Sequence, residues 1–379
     1  MTKDLAVLGS TGSVGRSALQ VCRSLGIRVE ALSANSDINN LEMQIREFKP
    51  SLCAVADERA AAELKIAVAD MPVKIVSGKN AAETVAAEAE CDTVLNSVSG
   101  IAGLRPTLAA VESGKTLALA NKESLVTYGT HVMKRVNEKG VKVLPVDSEH
   151  SAIFQCLSGQ RVRRLILTAS GGPFYGKTRD QLKGITPADP LAHPTWNMGS
   201  RITIDSATMM NKGFEVIEAA HLFGIDPTSV DVVVHRESII HSMVEYIDNA
   251  IIAEMGVPDM KLCIQYALTY PERVEGPVKQ LDLKSLTSFT FGMPDDTAFP
   301  LLPFARRAYA MGGVAPAAMN GADEEAVAMF LREKISFTDI SDIVMQVTED
   351  APKVASPLLV DIEAADKWAR LRVRELANR

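Results

Sequence analysis

A glycine-rich segment near the N-terminus, Gly9-Ser-Thr-Gly12-Ser-Val-Gly15, separates the apolar run Leu5–Leu8 from the amphipathic stretch Gly15–Leu25. A strand, a glycine-rich turn and a helix in this order begin a βαβ unit, in which glycines let the backbone approach a pyrophosphate. The spacing is G-x-x-G-x-x-G rather than the strict G-x-G-x-x-G. The segment predicts a dinucleotide site, with a turn that needs glycine only for packing as the alternative.

Short apolar runs and amphipathic stretches continue to alternate up to residue 146. This alternation, with short links, is typical of a doubly wound parallel sheet, and we predict a Rossmann-like α/β fold. The predicted strands are Leu5–Leu8, Arg28–Ser33, Leu52–Ala56, Lys74–Val76, Thr93–Asn96, Thr116–Ala118 and Val141–Pro145. The predicted helices are Gly15–Leu25, Leu41–Phe48, a helix capped by Asp57 that ends at Ala69, Ala81–Glu90, Leu104–Ser113 and Ser124–Glu138.

Beyond Val146 the pattern changes to that of an α+β domain followed by helices. Glycines and prolines interrupt the stretch 170–200, and so long an irregular segment is usually a lid or a binding loop. We predict a dinucleotide-binding domain over residues 1–146 and a second domain over 147–270 that contains a lid loop at 170–200. A linker over 271–303 and a C-terminal helical domain over 304–379 complete the prediction.

Composition excludes several classes of protein. Lys and Arg total 40 against 47 Asp and Glu, so the net charge is −7, and no basic block offers a nucleic-acid surface. The five cysteines are scattered without a C-x-x-C pair, which argues against a disulfide framework or a zinc site. Neither a signal peptide nor an apolar run of about 18 residues is found. We therefore expect a cytoplasmic protein that binds no membrane.

A polar tripeptide, Asn121-Lys122-Glu123, follows the predicted strand Thr116–Ala118. Ligands of open parallel sheets bind beyond the carboxyl ends of the strands, where a lysine can meet a substrate oxygen and an asparagine can orient a nicotinamide. The alternative is a polar helix N-terminus in which Glu123 interacts with the helix dipole.

Two carboxylates lie close together in Asp147-Ser148-Glu149-His150. In an extended backbone the first and third residues point to the same side, and hard divalent metal ions prefer such oxygen ligands. The alternative is the cap of a helix over Ser151–Leu157.

A third polar motif is the run Asp205-Ser-Ala-Thr-Met-Met-Asn-Lys-Gly-Phe-Glu215. On a helix, Asn211 and Lys212 share a face with Glu215. Serine, asparagine and lysine can hold a phosphate, and Glu215 can supply a third metal oxygen. The alternative is a surface Lys–Glu pair, with Met209 and Met210 in the core.

The predicted lid loop contains Ser170 within Ala-Ser-Gly-Gly-Pro and His193 and Trp196 within His-Pro-Thr-Trp-Asn-Met-Gly. A tryptophan on a proline-flanked loop suits a lid that covers a ligand and excludes water. His235 and His241, in apolar surroundings, are interpreted as packing residues.

Six motifs, in the order GSTGSVG, ANKESLV, PVDSEH, SGGPF, HPTWNMG and DSATMMNKGFE, closely resemble those of the 1-deoxy-D-xylulose-5-phosphate reductoisomerase family. The resemblance covers essentially the whole chain and is densest from Lys115 to Glu218. It implies NADPH- and divalent-metal-dependent isomerisation and reduction of 1-deoxy-D-xylulose 5-phosphate to 2-C-methyl-D-erythritol 4-phosphate, in non-mevalonate isoprenoid biosynthesis. It further implies an oxidoreductase that forms a homodimer through its catalytic domain and is inhibited by fosmidomycin.

The resemblance also assigns residues to roles. It implies that Mg²⁺, Mn²⁺ or Co²⁺ binds Asp147, Glu149 and Glu215, and that these residues act in catalysis together with Lys122 and His193. NADPH is expected to contact Thr11, Gly12, Ser13, Val14, Asn35, Asn121, Glu123 and Gly199. The substrate is expected to contact Lys122, Ser148, Glu149, Ser170, His193, Trp196, Ser206, Asn211, Lys212 and Glu215.

Two positions depart from the family pattern. Many relatives have Gly-Lys-Asn after the second strand, where this chain has Asn35-Ser36-Asp37. The end of that strand has no carboxylate at the position expected of NAD binders, which favours NADP. However, Asp37 is close, and no Lys or Arg lies between the end of the strand and Arg46. Relatives often read N-A-A-N-E where this chain has Asn-Gly-Ala-Asp323-Glu, and we expect that change to affect the helical domain and not the site.

Two other classes of protein remain as alternatives. A plain NAD(P)-dependent dehydrogenase of the semialdehyde type needs an activated cysteine, and no cysteine here lies beside a candidate base in sequence. A dinucleotide sensor would not need three carboxylates and a phosphate-binding set.

Overall fold

The computed structural model describes residues 1–191 and 199–378, which form two compact units. The first unit contains Met1–Ser124, Thr130–Phe154 and Asp259–Leu281. The second contains Leu125–Gly129, Gln155–Pro258 and Asp282–Arg379. Residues Asp259–Leu281, which cross the predicted boundary at residue 270, thus belong to the first unit.

The first unit is built on a parallel sheet of seven strands in the order β4-β3-β2-β1-β5-β6-β7. The strands are β1 Asp4–Leu8, β2 Arg28–Ala34, β3 Leu52–Val55, β4 Lys74–Ser77, β5 Thr93–Asn96, β6 Thr116–Leu119 and β7 Val143–Pro145. Strand β1 pairs with both β2 and β5, so the strand order reverses beside β1. In doubly wound sheets this switch point is where ligands bind, at the carboxyl ends of the strands.

Seven helices alternate with these strands or follow them along the chain. They are α1 Ser13–Leu25, α2 Ile38–Phe48, α3 Glu58–Ala67, α4 Ala81–Glu88, α5 Leu104–Glu112, α6 Glu123–Lys139 and α7 Ser148–Cys156. The predicted doubly wound fold is confirmed, and every predicted strand of this sheet forms within two residues of its predicted bounds. Asp57 caps α3 as predicted, because its carboxylate accepts the Ala60 backbone N–H at 2.9 Å.

The core of the first unit consists of apolar strand residues covered by helices. All four apolar residues from Leu5 to Leu8 are fully buried, as is usual for a central parallel strand covered on both faces. Helix α11, Met260–Thr269, adds Ile264, Ala267 and Leu268 to the same core. Helix α11 was not predicted from the sequence.

The second unit contains a mixed sheet of four strands in the order β11-β10-β8-β9. Its strands are β8 Val162–Ala169, β9 Val230–Val234, β10 Ile240–Tyr246 and β11 Ile251–Met255. Strands β8 and β9 are parallel, whereas β10 runs antiparallel to both β8 and β11. The predicted α+β character of this part is therefore confirmed.

The remaining helices of the second unit are α8 Ala188–Leu191, α9 Ser200–Ala207, α10 Met210–Phe223, α12 Leu301–Met311, α13 Ala315–Leu331, α14 Phe337–Glu349 and α15 Leu359–Ala377. Helix α13 is buried along most of its length and packs against α14 and α15. A Cβ at Gly321 of α13 would lie 2.8 Å from the backbone oxygen of Asp366 on α15, so only glycine permits this close approach. The C-terminal part is helical, as predicted.

Two general features follow from the described residues. No helix within 1–191 or 199–378 has the length and apolar character needed to cross a membrane. No disulfide bond joins the five cysteines, all of which lie in these ranges.

Candidate active site

The glycine-rich turn after β1 is tightly packed. Gly9 has a φ of +78°, and a Cβ there would lie 2.8 Å from the backbone oxygen of Ser97. A Cβ at Gly15 would overlap the Gly9 carbonyl, whereas one at Gly12 would lie 3.3 Å from that oxygen. Close packing therefore explains why positions 9 and 15 require glycine. Gly12 lies at the exposed tip of the turn, where packing alone does not require glycine.

The N-terminus of α1 opens at this tip. Gly12 is the N-cap of α1 without a capping side chain, and Gly12 and Ser13 are exposed. The first N–H groups of a helix bind anions well because they have no partner within the helix and carry the positive end of its dipole. The turn thus fits the pyrophosphate of a dinucleotide, at the predicted residues Thr11, Gly12, Ser13 and Val14.

Asp37, the acid nearest the end of β2, is engaged in capping α2. Its carboxylate accepts the Asn40 backbone N–H at 3.2 Å and the Asn40 side-chain amide at 2.7 Å. Asn35 and Ser36 beside it are exposed. An acid that discriminates for NAD must bind the ribose hydroxyls, and in this structure the Asp37 carboxylate is used for the helix instead.

Asn121 and Glu123 shape the loop that follows β5. The Asn121 amide donates to the Val98 oxygen at 2.7 Å and to the Gly100 oxygen at 2.9 Å. The same amide donates to Glu123 at 2.8 Å, and Glu123 accepts the Gly100 N–H at 3.0 Å. Because this loop also packs on Gly9 through Ser97, the two side chains support the turn on which the dinucleotide is expected.

Lys122 and Asp147 form an ion pair at the carboxyl ends of the neighbouring strands β6 and β7. The Lys122 Nζ lies 2.5 Å from the Asp147 Oδ2, and both side chains are nearly buried. His150, fully buried, lies with its Nδ1 3.8 Å from the same oxygen. No role was predicted for His150 from the sequence; its place one helical turn after Asp147 is the signal that could have identified it.

The extended backbone predicted for Asp147–Glu149 is wrong. Helix α7 begins at Ser148, three residues before the start of the helix considered as the alternative. The Ser151 backbone N–H donates to the backbone oxygen of Asp147 at 2.8 Å. Glu149 therefore lies in the first turn of a helix, where a carboxylate is stabilised by the dipole. The Ser148 hydroxyl donates to Glu149 at 2.6 Å.

In the second unit, α10 carries a buried charged pair. Lys212 and Glu215 are only 4% and 1% exposed and form an ion pair. The Asn211 amide donates to Glu215 at 2.5 Å. The surface-pair alternative is therefore wrong, and because buried charges are costly, a buried pair of this kind is a candidate functional site. Met209 and Met210 are buried, as predicted.

The loop after β8 lies against α9. Gly171 and Gly172 have φ values of +78° and +65°, and a Cβ at Gly172 would lie 2.7 Å from the backbone oxygen of Ser206. The Ser170 hydroxyl accepts the Gly172 N–H at 3.3 Å. The structure thus brings the predicted residues Ser170 and Ser206 into adjoining segments, which the sequence separates by 36 positions.

The other residues singled out from the sequence are His193, Trp196, Gly199, His235 and His241. His193 and Trp196 lie outside the described residues, and Gly199 is the N-cap of α9. His235 and His241 are buried, with ring nitrogens 2.9 Å from the Thr290 oxygen and from Glu254 respectively, as the packing interpretation predicts.

The donor set suits a hard divalent cation. The three predicted ligands, Asp147, Glu149 and Glu215, all carry carboxylate oxygens. Carboxylate oxygen is the ligand that Mg²⁺ and Mn²⁺ prefer. The chemistry of these three side chains therefore fits the predicted metal.

Three family models match successive parts of the chain. Family models described as 1-deoxy-D-xylulose 5-phosphate reductoisomerase, its C-terminal domain and the DXP reductoisomerase C-terminal domain match residues 5–129, 143–223 and 255–372. The reductoisomerase of Ruminiclostridium cellulolyticum is 48% identical over 99% of this chain and 100% of its own length. That of Halothermothrix orenii is 49% identical over 100% of both chains.

Solved structures agree. The reductoisomerase from Zymomonas mobilis in complex with NADPH has a TM-score of 0.92 at 41% identity, covering 100% of this chain and 99% of that one. A DOX-P reductoisomerase in complex with NADPH, fosmidomycin and magnesium has a TM-score of 0.95 at 39% identity, covering 99% of this chain and 98% of that one.

Proposed function

The chain belongs to the 1-deoxy-D-xylulose 5-phosphate reductoisomerase family, and from this premise we propose which of its side chains perform each part of the reaction. It is an NADP-dependent oxidoreductase that uses NADPH and a divalent metal ion. It isomerises and reduces 1-deoxy-D-xylulose 5-phosphate to 2-C-methyl-D-erythritol 4-phosphate in isoprenoid synthesis.

The buried Lys212–Glu215 pair on α10 is the observation that carries the residue assignment. We propose that Lys212 binds the substrate phosphate together with Ser170, Ser206 and Asn211. A buried ammonium group binds a phosphate through charge-assisted hydrogen bonds that water does not screen. The phosphate is remote from the reacting carbons, so its binding energy can position them.

Asp147, Glu149 and Glu215 are proposed as the metal ligands, with Mg²⁺, Mn²⁺ or Co²⁺ as candidates. When bound, such an ion supplies Lewis-acid stabilisation of negative charge on substrate oxygens. Ser148 orients Glu149 through its 2.6 Å hydrogen bond, and we propose that Ser148 also contacts the substrate. Lys122 pairs with Asp147 and is proposed to meet a substrate oxygen and hold it during rearrangement.

NADPH is proposed to bind at the N-terminus of α1 and at the carboxyl ends of β1, β2 and β6. The cofactor supplies the hydride that reduces the aldehyde, and the protein directs it. The exposed residues Gly12 and Ser13 at the N-terminus of α1 and the Asp37 carboxylate held in the α2 cap support this proposal. The proposed contacts are Thr11, Gly12, Ser13, Val14, Asn35, Asn121, Glu123 and Gly199.

His193 and Trp196 are proposed to contact the substrate from a lid loop over residues 170–200. This assignment rests on the family resemblance of their motif. We propose further that residues 1–146 bind NADPH and that 147–270 carry catalysis and dimerisation. Residues 271–303 would then link this region to the helical domain 304–379.

A homodimer is proposed from the edge of the second sheet. Strand β11 lies at that edge, and Ile251, Ile252 and Met255 on it are 49%, 47% and 39% exposed. An apolar edge strand with unpaired backbone groups favours association with a second copy of the chain. Sedimentation of the wild type and of an Ile252→Lys variant tests this: we expect a dimer that the variant weakens, and a monomeric wild type would contradict it.

We also propose a cytoplasmic location, which cysteine chemistry supports. Burial raises the pKa of the Cys22 and Cys53 thiols to about 12, which suits inert core residues in a reducing compartment. Burial also raises the pKa of Cys91. These thiols are poor nucleophiles, which disfavours the cysteine-dependent dehydrogenase alternative.

One assay tests the assignment of the reaction to this site. Purified protein is incubated with 1-deoxy-D-xylulose 5-phosphate and NADPH, in EDTA or with added Mg²⁺, and the product is identified by mass spectrometry. We expect metal-dependent NADPH oxidation in the wild type and a strong loss in Glu215→Gln. Equal turnover of Glu215→Gln would remove this residue from the site without affecting family membership.

A further inference from the structure

A buried acidic cluster lies where α9, α13 and α15 meet in the second unit. Its carboxyl groups outnumber its guanidinium groups by four to two. Asp205, Asp323 and Asp366 are each at most 5% exposed. The members are Asp205 and Arg201 of α9, Asp323 and Glu324 of α13, and Asp366 and Arg370 of α15.

The two arginines are directed mainly at Glu324 and Asp366. Arg370 donates to Glu324 at 2.7 Å and to Asp366 at 2.8 and 2.9 Å. Arg201 approaches Glu324 at 3.3 Å and Asp205 at 3.5 Å but comes only within 3.8 Å of Asp323. Asp323 is therefore the acid of this cluster with the weakest cationic partner.

Asp323 is fully buried beside Asp205, and Arg201 of α9 lies 3.5 Å from the Asp205 carboxylate and 3.8 Å from the Asp323 carboxylate. Neither Asp323 oxygen accepts a hydrogen bond from another group in the described part of the chain. Two carboxylates side by side away from water repel strongly, so the pair must hold a proton. Burial first, and the Asp205 charge second, raise the pKa of Asp323 well above its ordinary value.

Charged groups on the other helices packed against α13 are occupied elsewhere. On α12, Arg306 donates to the backbone oxygens of Pro227 and Val230, and Arg307 pairs with Glu349 of α14. Also on α14, Asp339 caps its own helix and Asp342 pairs with Arg179. Glu325 of α13 pairs with Arg374 of α15. Among the described residues, these charged groups therefore do not compete with Asp205 for the proton of Asp323.

The position of Asp205 links this pair to the substrate. Asp205 directly precedes Ser206, which we assign to the phosphate, on the short helix α9. We propose that Asp323 is a positioning residue: it donates a shared proton to Asp205 and thereby holds α9 so that Ser206 can bind the substrate phosphate. The proposal rests on the assignment of Ser206 made above. On this proposal, the departure at position 323 would affect the site as well as the helical domain.

The first test asks whether the proton is there. Infrared difference spectra are recorded for the wild type against Asp323→Asn, and against Glu325→Gln as a control that removes one negative charge from the same helix. At about pH 8, where an ordinary aspartate is ionised, we expect a protonated carboxyl band that Asp323→Asn removes and Glu325→Gln retains. Absence of that band from the wild type would overturn the proposal.

The second test asks whether the pair positions α9. The holoenzyme with Mg²⁺ and NADPH is assayed as wild type, Asp323→Asn, Asp323→Ala and Ser206→Ala. Asparagine keeps a donor toward Asp205, so we expect Asp323→Asn to keep the KM for the substrate. For Asp323→Ala we expect a roughly fivefold rise in the KM for the substrate and in the inhibition constant of inorganic phosphate. A factor of about five is the lower end of the changes in affinity that one site typically causes at another.

The outcomes separate the two proposals. If Ser206→Ala raises the KM and Asp323→Ala does not, the positioning role fails and the phosphate assignment stands. If Ser206→Ala leaves both constants unchanged, the phosphate assignment itself fails. If Asp323→Ala lowers only the melting temperature or kcat, or if asparagine fails to restore the wild-type KM, Asp323 has a structural role and the proposal is overturned.

Discussion

Removal of the buried ammonium group of Lys212 tests the proposed phosphate site most directly. Lys212 is 4% exposed and pairs with Glu215, which is 1% exposed. In Lys212→Ala the substrate phosphate would lose a charge-assisted hydrogen bond, worth about 1.5–3 kcal/mol. This free energy corresponds to a roughly 10- to 150-fold loss of kcat/KM. Because phosphate binding orders the reacting end, we expect kcat to fall as well as KM to rise.

The same substitution also affects folding stability. In Lys212→Ala the buried Glu215 keeps the hydrogen bond from the Asn211 amide at 2.5 Å but loses Lys212 as its ion-pair partner. Removing one partner of a buried ion pair costs about 3–5 kcal/mol. A bound divalent cation would offset part of this cost if Glu215 is a ligand, so we expect Mg²⁺ to stabilise the variant against urea.

A matched control exists in the same unit. Lys183 and Asp180 have the same spacing of three residues and lie 2.7 Å apart, but their side chains are 69% and 86% exposed. Exposed pairs contribute little, so Lys183→Ala should change stability by less than about 1 kcal/mol, which makes it the control for the stability measurement. Steady-state kinetics and urea denaturation of both variants provide the comparison. A folded Lys212→Ala protein with wild-type kcat/KM would refute the assignment of α10 to the phosphate.

Four further predictions follow from the site. EDTA should abolish turnover, and Mg²⁺ or Mn²⁺ should restore it; full activity in a metal-free sample would contradict the proposed carboxylate site. NADPH should be used with higher kcat/KM than NADH, because Asp37 is occupied as a helix cap; equal efficiency with NADH would show that Asp37 reaches the ribose. Trp196→Ala should lower kcat and weaken fosmidomycin inhibition, and Trp196 fluorescence, measured in a Trp368→Phe background, should respond to the inhibitor if the lid closes. Because the pKa of Asp323 is raised, the unfolded chain releases a proton above about pH 4 that the folded chain keeps. The free energy of unfolding should therefore fall as the pH rises above about 4. Urea denaturation at several pH values should show that this free energy depends less steeply on pH in Asp323→Asn than in the wild type.

The local features of this protein are predictable from the sequence because they depend on neighbouring residues. The apolar runs of the parallel sheet, the turn at Gly9–Gly15 and the Asp57 cap each follow from residue types within one strand or turn. The shared face of Lys212 and Glu215 follows from helical spacing alone. The motif order was specific enough to predict the family, which the comparisons confirm.

Tertiary structure decided what these local patterns left open, since burial and contact depend on residues far apart in the chain. Helical spacing cannot tell a surface Lys–Glu pair from a buried one, and only the packing around α10 excludes water from Lys212 and Glu215. No local signal at Asp323 predicts that it lies beside Asp205, which is 118 positions earlier and meets it because α9 packs against α13. The chemistry of both carboxyl groups is set by that packing, because the cost of a charge depends on the water and partners that the folded chain leaves around it.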